Sequence, residues 1–274
     1  MGGSSPLEAV IFEPERGSVA AAPDEPRIEA VIFDWGGTLT PWHDVDLPQQ
    51  WRIFAREVHG LPVEDPHMPV EDLAEADSLA VRIHAAEERA WARGRETHQS
   101  ASIEAILEEA GIDAAHDRHH LALAAYRGFW EPHTHTDPQV RPLWEGLHDR
   151  GLKVGVLSNT IWSRAYHRGV FQRDGVLDLL DGDVYSSEIH VVKPHREAFL
   201  AACEAVDVAP EAAVYVGDRL YEDVHGPQQV GMRAIWIPHS EIPLSQQVAV
   251  DVTPDAQAHE LLDILGIVDG WLGR

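Results

Sequence analysis

Cysteine and lysine are scarce in this sequence of 274 residues, which holds one cysteine, Cys203, and two lysines, Lys153 and Lys193. A single cysteine cannot form an internal disulfide, and this favours a protein of a reducing compartment. Long apolar runs are also missing. No stretch approaches the roughly 18 residues of a membrane-spanning helix, and no basic segment followed by an apolar run begins the chain. The sequence therefore predicts a soluble, cytoplasmic protein without a membrane partner.

Positive charge is scarce relative to negative charge, since 21 basic residues face 46 acidic ones and the formal net charge is −25. Such a balance repels phosphate backbones and anionic membrane surfaces, so we expect no nucleic-acid partner. It does not exclude a small anionic substrate, because a metal ion, a lysine and backbone amides can make one local site positive. The apolar fraction of 44% is ordinary for a globular protein with a buried core.

The chain divides into parts of different pattern. Residues 1–26 are rich in glycine, serine, proline, alanine and acidic residues without periodicity, which predicts a flexible leader. Residues 45–135 show only helical periodicity, whereas strands alternate with helices in the remainder. This alternation predicts an α/β fold with a doubly wound parallel sheet, a Rossmann-like core built from residues 27–44 and 136–274. The helical part is then an insertion after the first strand.

Apolar periodicity and turn residues locate the individual elements. In the insertion, Pro48 suits a first helical turn, and one apolar face of that helix comprises Trp51, Phe54, Ala55 and Val58. Predicted helices span residues 71–93, 102–110, 114–130, 139–150, 195–206, about 221–230 and 254–267. Predicted strands span residues 28–33, 152–157, a short stretch near 184–185, 213–216 and 233–237.

Polar residues stand where several of the predicted strands end. The carboxyl ends of parallel strands share one edge of a sheet, so these side chains can converge there. They offer a carboxylate nucleophile, a hydroxyl with neighbouring amides, a lysine, and further carboxylates of the kind that Mg²⁺ prefers. The set predicts a site for phosphoryl transfer through an aspartyl-phosphate. Its members are Asp34, Ser158, Asn159, Lys193, Asp218 and Asp223.

Four segments that carry these residues resemble the ordered motifs of the haloacid dehalogenase-like hydrolase superfamily. They stand here as Phe33-Asp34-Trp35-Gly36-Gly37-Thr38-Leu39, Leu157-Ser158-Asn159, Val192-Lys193-Pro194 and Gly217-Asp218-Arg219-Leu220-Tyr221-Glu222-Asp223-Val224. The resemblance covers about residues 28–44 and 136–255, with a helical insertion after the first motif. One motif alone would be a weak signal, but four in this order are specific.

The resemblance implies a Mg²⁺-dependent phosphatase that acts on a small phosphorylated metabolite. Asp34 would attack phosphorus as the nucleophile. The backbone carbonyl of Gly36 and the carboxylate of Asp218 would join Asp34 around Mg²⁺. Asp223 would steady the metal shell or pair with Lys193.

Substrate binding follows from the same resemblance. Ser158 and the amide of Asn159 would hold phosphate oxygens, and Lys193 would neutralise charge on the nucleophile and the phosphate. Trp35 flanks the site and could form a wall of the substrate pocket. The 45–135 insertion resembles the helical cap of the family, which closes on substrate and excludes water.

One position departs from the family pattern. Most phosphatases of the family carry aspartate where Gly36 stands, and that aspartate protonates the leaving group and then activates water. General acid–base help is worth on the order of 10²–10⁴ in rate. Three outcomes follow: a substrate whose leaving group needs little protonation, a substitute proton carrier, or feeble catalysis. The candidates for a substitute are His43, Asp44 and Asp46.

Two other functions remain open at this point. A 2-haloacid dehalogenase would use Asp34 on carbon without a metal, and the pair Asp218 and Asp223 argues against it. A catalytically weak ligand-binding or regulatory protein on the same fold is the alternative from another functional class. The sequence does not name the substrate, and it leaves the oligomeric state open.

Overall fold

The computed structural model describes residues 27–43, 45–62, 70–238 and 247–274. The predicted leader lies outside the described residues. The described residues form six strands: β1 (Ala30–Phe33), β2 (Lys153–Ser158), β3 (Gly182–Tyr185), β4 (Ala213–Gly217), β5 (Arg233–Trp236) and β6 (Ala256–Gln257). They form one parallel sheet in the order β3-β2-β1-β4-β5-β6. The predicted doubly wound α/β fold is confirmed.

The helices follow the predicted pattern closely. No helix within the described ranges is long and apolar enough to cross a membrane. The insertion contains α1 (Leu47–Val58), α2 (Val70–Thr97), α3 (Ile103–Glu109) and α4 (His119–Trp130). The remainder contains α5 (Val140–Asp149), α6 (Arg164–Arg173), α7 (Arg196–Ala205), α8 (Gly226–Gln228) and α9 (Asp263–Trp271).

The sheet is covered on both faces because alternate side chains of β1 point in opposite directions. Val31 and Phe33 pack on the side of α5, against residues such as Trp144. Ala30 and Ile32 pack on the other side, against α7. Every residue of β1 is fully buried, as expected for a central parallel strand with helices on both faces.

The register of the central strands brings their carboxyl ends to one level. Phe33 of β1 lies beside Val156 of β2 and Val216 of β4. The residues that follow these three positions therefore meet at the same edge of the sheet. This edge is where ligands bind in open α/β sheets.

Helices α1 to α4 bury a hydrophobic cluster of their own. The predicted face of α1 is buried, with Trp51 and Phe54 fully enclosed. Ser102 caps α3 through its side chain, which accepts the backbone N–H of Ala105 at 3.2 Å. Two residues from the loop after β2, Ile161 and Trp162, belong to the same cluster. The insertion and the sheet are therefore joined by shared apolar packing.

Two predicted helices near the carboxyl end differ from the structure. The stretch predicted as helix 221–230 is a π-helical segment, Leu220–His225, that continues into α8. The helix predicted over 254–267 is wrong in its first half, where β6 pairs with β5 and α9 starts only at Asp263. The reason is tertiary: the backbone N–H of Ala234 donates to the carboxylate of Asp255 at 2.8 Å and holds this stretch along β5. Helical periodicity cannot reveal such a partner.

Candidate active site

β1 delivers Asp34 to the carboxyl edge of the sheet. The backbone N–H of Asp34 donates to the carbonyl of Val216 at 2.9 Å, which extends the ladder past the end of β1. A sharp turn follows, in which the N–H of Thr40 donates to the carbonyl of Trp35 at 3.0 Å. Gly37 has φ = 85° in this turn, a left-handed conformation that glycine adopts without steric cost. The turn leaves Asp34 only 6% exposed.

Lys193 is the cation that faces Asp34. Its Nζ lies 2.8 Å from Oδ1 of Asp34, 2.7 Å from Oδ1 of Asp223 and 2.8 Å from the hydroxyl of Tyr215. These three acceptors match the three N–H donors of an ammonium group. The lysine is 4% exposed, so its direction is set by these contacts and by packing. The structure therefore brings the predicted nucleophile and the predicted lysine into direct contact.

The electrostatics of this group follow from burial and neighbouring charge. Burial alone would lower the pKa of Lys193, but the carboxylates of Asp223 and Asp34 outweigh it and raise that pKa well above its usual value. Burial raises the pKa of the Asp223 carboxyl, and the charges of Asp34 and Asp218 add to this, while Lys193 opposes it. The lysine is therefore charged, and negative charge is in excess around it.

Three carboxylates form a cluster that could hold a divalent cation. Oxygen atoms of Asp34, Asp218 and Asp223 lie within 4.8 Å of one another, and all three residues are buried. Buried carboxylates that crowd together are costly unless a cation compensates them, and Lys193 supplies only one positive charge. Hard oxygen donors in this number suit Mg²⁺, which commonly takes one or two carboxylates together with water. The donor set thus fits the predicted metal.

Asp223 reaches the cluster because the backbone around it is unusual. It lies in the π-helical segment, and its Oδ2 accepts the backbone N–H of Arg219 at 3.0 Å. A Cβ on Gly217 would come within 2.4 Å of the Asp223 side chain, so glycine is required where β4 ends. The carbonyl of Asp218 accepts the indole N–H of Trp236 at 3.0 Å, which holds the peptide between Asp218 and Arg219.

Asn159 uses its side chain in a way that the sequence did not predict. Its Oδ1 accepts the backbone N–H of Lys193 at 2.8 Å, and its Nδ2 donates to the carbonyl of Lys193 at 3.1 Å. The amide side chain therefore holds the lysine peptide from both sides. Ser158, at the end of β2, is 2% exposed. The predicted roles of Ser158 and of the Asn159 amide in phosphate binding stay predictions.

The β2 loop, residues 158–162, is fixed by buried polar groups. The backbone N–H of Thr160 donates to Oγ of Ser186 at 2.8 Å, and that hydroxyl donates back to the carbonyl of Thr160 at 3.0 Å. Nε2 of His167 lies 3.2 Å from the hydroxyl of Thr160. These contacts preorganise the loop that follows Ser158.

Trp35 packs partly into the core beside the nucleophile. Its ring meets His167 edge-on at 4.5 Å, and His167 stacks on Tyr185 at 4.3 Å with an interplanar angle of 6°. His167 is fully buried, and burial lowers its pKa to about 3, so it is neutral at physiological pH. Trp35 itself is half-buried. Its predicted contribution to a substrate wall stays a prediction.

Space is open at the position of the expected proton carrier. A Cβ built on Gly36 would meet no atom within 4 Å, so the backbone there leaves room for a side chain to begin. Of the suggested substitutes, Asp44 lies outside the described residues. His43 is exposed and its ring lies 5.3 Å from that of His133, while Asp46 precedes α1. Neither His43 nor Asp46 is hydrogen-bonded to Asp34 in the described part of the chain.

Tyr215 is a site residue that sequence reasoning missed. Its hydroxyl accepts from Lys193 and donates to the carbonyl of Leu157 at 2.8 Å, and the residue is fully buried. A signal was present: a tyrosine between two valines of a buried strand must find a partner for its hydroxyl. The partner could not be named from the sequence, because Lys193 lies on a distant segment.

Comparison with known proteins now bears on this geometry. A model of the haloacid dehalogenase-like hydrolase family matches residues 28–231. The chain belongs to this family. The predicted family resemblance is confirmed. The match includes all four motif segments and ends before β5 and α9.

Several curated proteins to which this chain is similar carry phosphatase names. A glyceraldehyde 3-phosphate phosphatase of Methanopyrus kandleri is 30% identical over 168 residues, which is 60% of this chain and 66% of that protein. A protein of the same name from Pyrococcus furiosus is 45% identical over 51 residues, which is 19% of this chain and 21% of that protein. The chain thus spans between about a fifth and two thirds of these relatives. Phosphatase MT3486 of Mycobacterium tuberculosis is 27% identical over 89% of this chain and 98% of that protein.

Solved structures share the fold of the haloacid dehalogenase-like family. A phosphatase of Thermococcus onnurineus superposes with a TM-score of 0.57 at 23% identity, over 89% of this chain and 99% of its own. A 2-haloacid dehalogenase of Pseudomonas syringae has the same TM-score at 24% identity, with the same coverage. At sequence identities below 25% this similarity shows the fold alone, and it does not distinguish a phosphatase from a dehalogenase.

Proposed function

We propose that this protein is a Mg²⁺-dependent phosphatase that acts on a small phosphorylated metabolite through an aspartyl-phosphate on Asp34. The observation that carries the proposal is the contact of Asp34 with Lys193 inside a cluster of three buried carboxylates. A dehalogenase acting on carbon has no use for such a cluster. The phosphatase names of the curated relatives support the same reaction class.

Residues of the site can perform the attack on phosphorus and the binding of phosphate, whereas Gly36 has no side chain to move the proton of the leaving group. Asp34 forms a bond to phosphorus while the bond to the leaving group breaks, and Lys193 holds the attacking carboxylate through its 2.8 Å contact. Ser158 and the amide of Asn159 bind phosphate oxygens at the end of β2. Water then cleaves the aspartyl-phosphate and releases inorganic phosphate.

The carboxylates of Asp34 and Asp218, with the carbonyl of Gly36, are the groups that would hold Mg²⁺, and Asp223 would support them while pairing with Lys193. When bound, the ion would offset the negative charge that the phosphate brings to an already acidic cluster. Lys193 cannot offset the charge of the phosphate alone, because its three N–H donors already meet three acceptors.

The test is phosphate release from p-nitrophenyl phosphate and acetyl phosphate, with Mg²⁺ and with EDTA. We expect activity that needs Mg²⁺ and that Asp34→Asn abolishes. Asp77→Asn is the matched control, because Asp77 is an exposed residue of α2 and its loss should leave the rate unchanged.

The outcomes separate the candidate functions. Chloride release from a 2-haloacid without metal would refute the phosphatase proposal in favour of a dehalogenase. Absence of turnover on both phosphates, together with thermal stabilisation by a phosphorylated ligand, would favour a binding protein. The open space at Gly36 is the observation behind that second candidate.

A further inference from the structure

Tyr215 bonds to a strand that is not its neighbour in the sheet. It belongs to β4, and its hydroxyl donates at 2.8 Å to the carbonyl of Leu157 near the end of β2. β1 lies between these two strands and ends at Phe33, which pairs with Val156. Leu157, one residue further along β2, is therefore level with Asp34. The hydroxyl of Tyr215 thus lies at the level of the proposed nucleophile.

Packing fixes the direction of the Tyr215 ring. The residue is fully buried, and its ring meets that of Phe199 on α7 at 5.2 Å with an interplanar angle of 83°. Ile32 of β1 and Leu157 of β2 belong to the same hydrophobic cluster. Close packing of this kind leaves a buried ring no room for another rotamer unless its neighbours move. The hydroxyl is therefore held at one point.

The same hydroxyl is an acceptor for the ammonium group of Lys193, at 2.8 Å. A phenol has one proton to donate, and in Tyr215 that proton goes to the carbonyl of Leu157. A carbonyl can only accept and an ammonium can only donate, so the oxygen of Tyr215 faces Lys193 as an acceptor. The row from ammonium to phenol to carbonyl therefore has a single direction, and the hydroxyl cannot rotate its lone pairs away from the lysine.

Tyr215 differs from the other two acceptors of Lys193 because it has no second partner in the proposed reaction. Asp34 is the proposed nucleophile, and Asp223 belongs to the carboxylate cluster that would hold Mg²⁺. Both carboxylates gain another partner for their oxygen atoms when substrate and metal bind. The Tyr215 phenol is neutral at physiological pH, and burial raises its pKa well above the usual value. Of the three contacts, the one with Tyr215 is therefore the contact without a competitor.

Lys193 is bonded at both of its ends to the stretch of chain around Ser158. The side chain of Asn159 accepts the backbone N–H of Lys193 at 2.8 Å and donates to its carbonyl at 3.1 Å. Tyr215 connects the ammonium group to the carbonyl of Leu157. Ser158, the proposed phosphate ligand, stands between Leu157 and Asn159 in the chain. These bonds fix the lysine relative to the group that would hold the phosphate.

We propose that Tyr215 is a positioning residue for the reaction. Its hydroxyl connects the ammonium group of Lys193 to the end of β2, next to Ser158, and so keeps an N–H of the lysine directed at Asp34. Tyr215 acts through Lys193 and does not itself contact the phosphate or the attacking oxygen. The inference rests on the proposed function for its kinetic readout, whereas the contact between Tyr215 and Lys193 is tested without any assay of activity.

The kinetic test is Tyr215→Phe, which keeps the ring and removes the hydroxyl. One N–H of Lys193 and the carbonyl of Leu157 then lose their partner. We expect kcat for acetyl phosphate with Mg²⁺ to fall by about ten-fold or more, with KM changed less than about two-fold, because the lysine is displaced while the phosphate ligands stay in place. Tyr126→Phe is the matched control, since it removes a buried tyrosine hydroxyl from α4, and it should keep kcat within about two-fold. Both variants are assayed well below their melting temperatures.

The contact itself is open to nuclear magnetic resonance, because the chain has only two lysines. Labelling with ¹⁵N-lysine gives one ammonium signal for each, and Lys153→Arg assigns them. The ammonium protons of Lys193, which is 4% exposed, should exchange with water about ten-fold more slowly than those of Lys153, whose side chain is 43% exposed. In Tyr215→Phe the Lys193 protons should exchange about ten-fold faster than in wild type, whereas Tyr126→Phe should leave their exchange unchanged. A general loss of stability would not single out one ammonium group.

The results separate the positioning role from the proposed function. A kcat of Tyr215→Phe within about two-fold of wild type would overturn the role, and so would a fall in kcat with unchanged exchange of the Lys193 protons. Exchange of these protons in wild type as fast as in Lys153 would refute the contact on which the role depends. If wild type releases phosphate from neither acetyl phosphate nor p-nitrophenyl phosphate, while the Lys193 protons respond to Tyr215→Phe as expected, the proposed function fails and the hold of Tyr215 on the lysine stands.

Discussion

At the scale of single residues, Gly36 stands two positions after Asp34 in a space that would accept a side chain. A Cβ there meets no atom within 4 Å, and the carboxylate cluster beside it is complete without it. The groups proposed to hold phosphate and metal are thus separate from the position where the family resemblance places a proton carrier. This separation makes the proposed role of that position open to experiment.

Gly36→Asp should raise kcat/KM for alkyl phosphates such as glycerol phosphate by about 10²-fold, because a carboxyl group would then protonate a poor leaving group. Acetyl phosphate, whose leaving group needs no proton, should gain far less. Steady-state phosphate release on both substrates measures the difference. Gly36→Asn is the matched control, since it fills the same space without a titratable proton. An equal gain in both variants would contradict the assignment.

His167 lets the pH dependence of stability be predicted for one residue. Its pKa is about 3 in the folded protein and about 6.5 when unfolded, so the unfolded chain binds the extra proton between these values. The contribution of His167 to the free energy of unfolding is therefore complete above pH 6.5 and is lost as the pH falls towards 3. The slope is about 1.4 kcal/mol per pH unit within that window.

His167→Phe keeps a ring against Tyr185 and removes the titration. The free energy of unfolding of wild type should fall relative to that of the variant as the pH decreases from 7.5 to about 5, because only the unfolded wild type gains a proton at position 167. Urea unfolding at several pH values measures it. Parallel stability profiles would show that His167 is not buried in the neutral form.

At the scale of elements, the end of β4 and the π-helical segment after it act as one unit. Gly217 lets the Asp223 side chain approach the strand, and Asp223 in turn holds Lys193 at 2.7 Å. Wide helical turns of this kind are frequent at functional sites. The predicted α-helix over 221–230 missed the wide turn, because a π-helical turn leaves little mark on apolar periodicity.

Gly217→Ala should lower activity by about 100-fold, because the added methyl group lies 2.4 Å from Asp223 and displaces it together with Lys193. Gly128→Ala on α4 is the control, since a Cβ there meets nothing within 4 Å and alanine favours a helix. kcat and the melting temperature are measured for both variants. Unchanged kcat in Gly217→Ala would contradict the proposed placement of Asp223.

At the scale of the whole molecule, two apolar residues of the sheet domain belong to the hydrophobic cluster of the insertion. Ile161 and Trp162 leave the sheet at the end of β2 and become part of the cluster buried by α1 to α4. Main-chain pairing of residues 98–100 with residues 190–192 adds a second place of contact. The two parts should therefore unfold together and not as independent units.

Trp162→Ala should lower the free energy of unfolding by about 3–5 kcal/mol, because it empties a buried site at the junction. Trp91→Ala on α2, where the side chain is 37% exposed, should cost about 1 kcal/mol or less. Denaturant unfolding followed by circular dichroism measures both. Two separate transitions in wild type would contradict the view that the parts are coupled.

The order of β1 to β5 with most of the helices, and the four motif segments, were readable from the sequence by itself, because hydrophobic periodicity, turn residues and strand-end polar residues are local features. The convergence of Asp34 and Asp218 also followed from the rule that parallel strands end at one edge, whereas Lys193 lies in the loop between β3 and α7. Only the tertiary structure decided that Tyr215 and Asn159 hold Lys193, and that Gln99 faces Val191. These contacts join segments 22 to 92 positions apart, and the chain carries no local mark of which distant segments will meet.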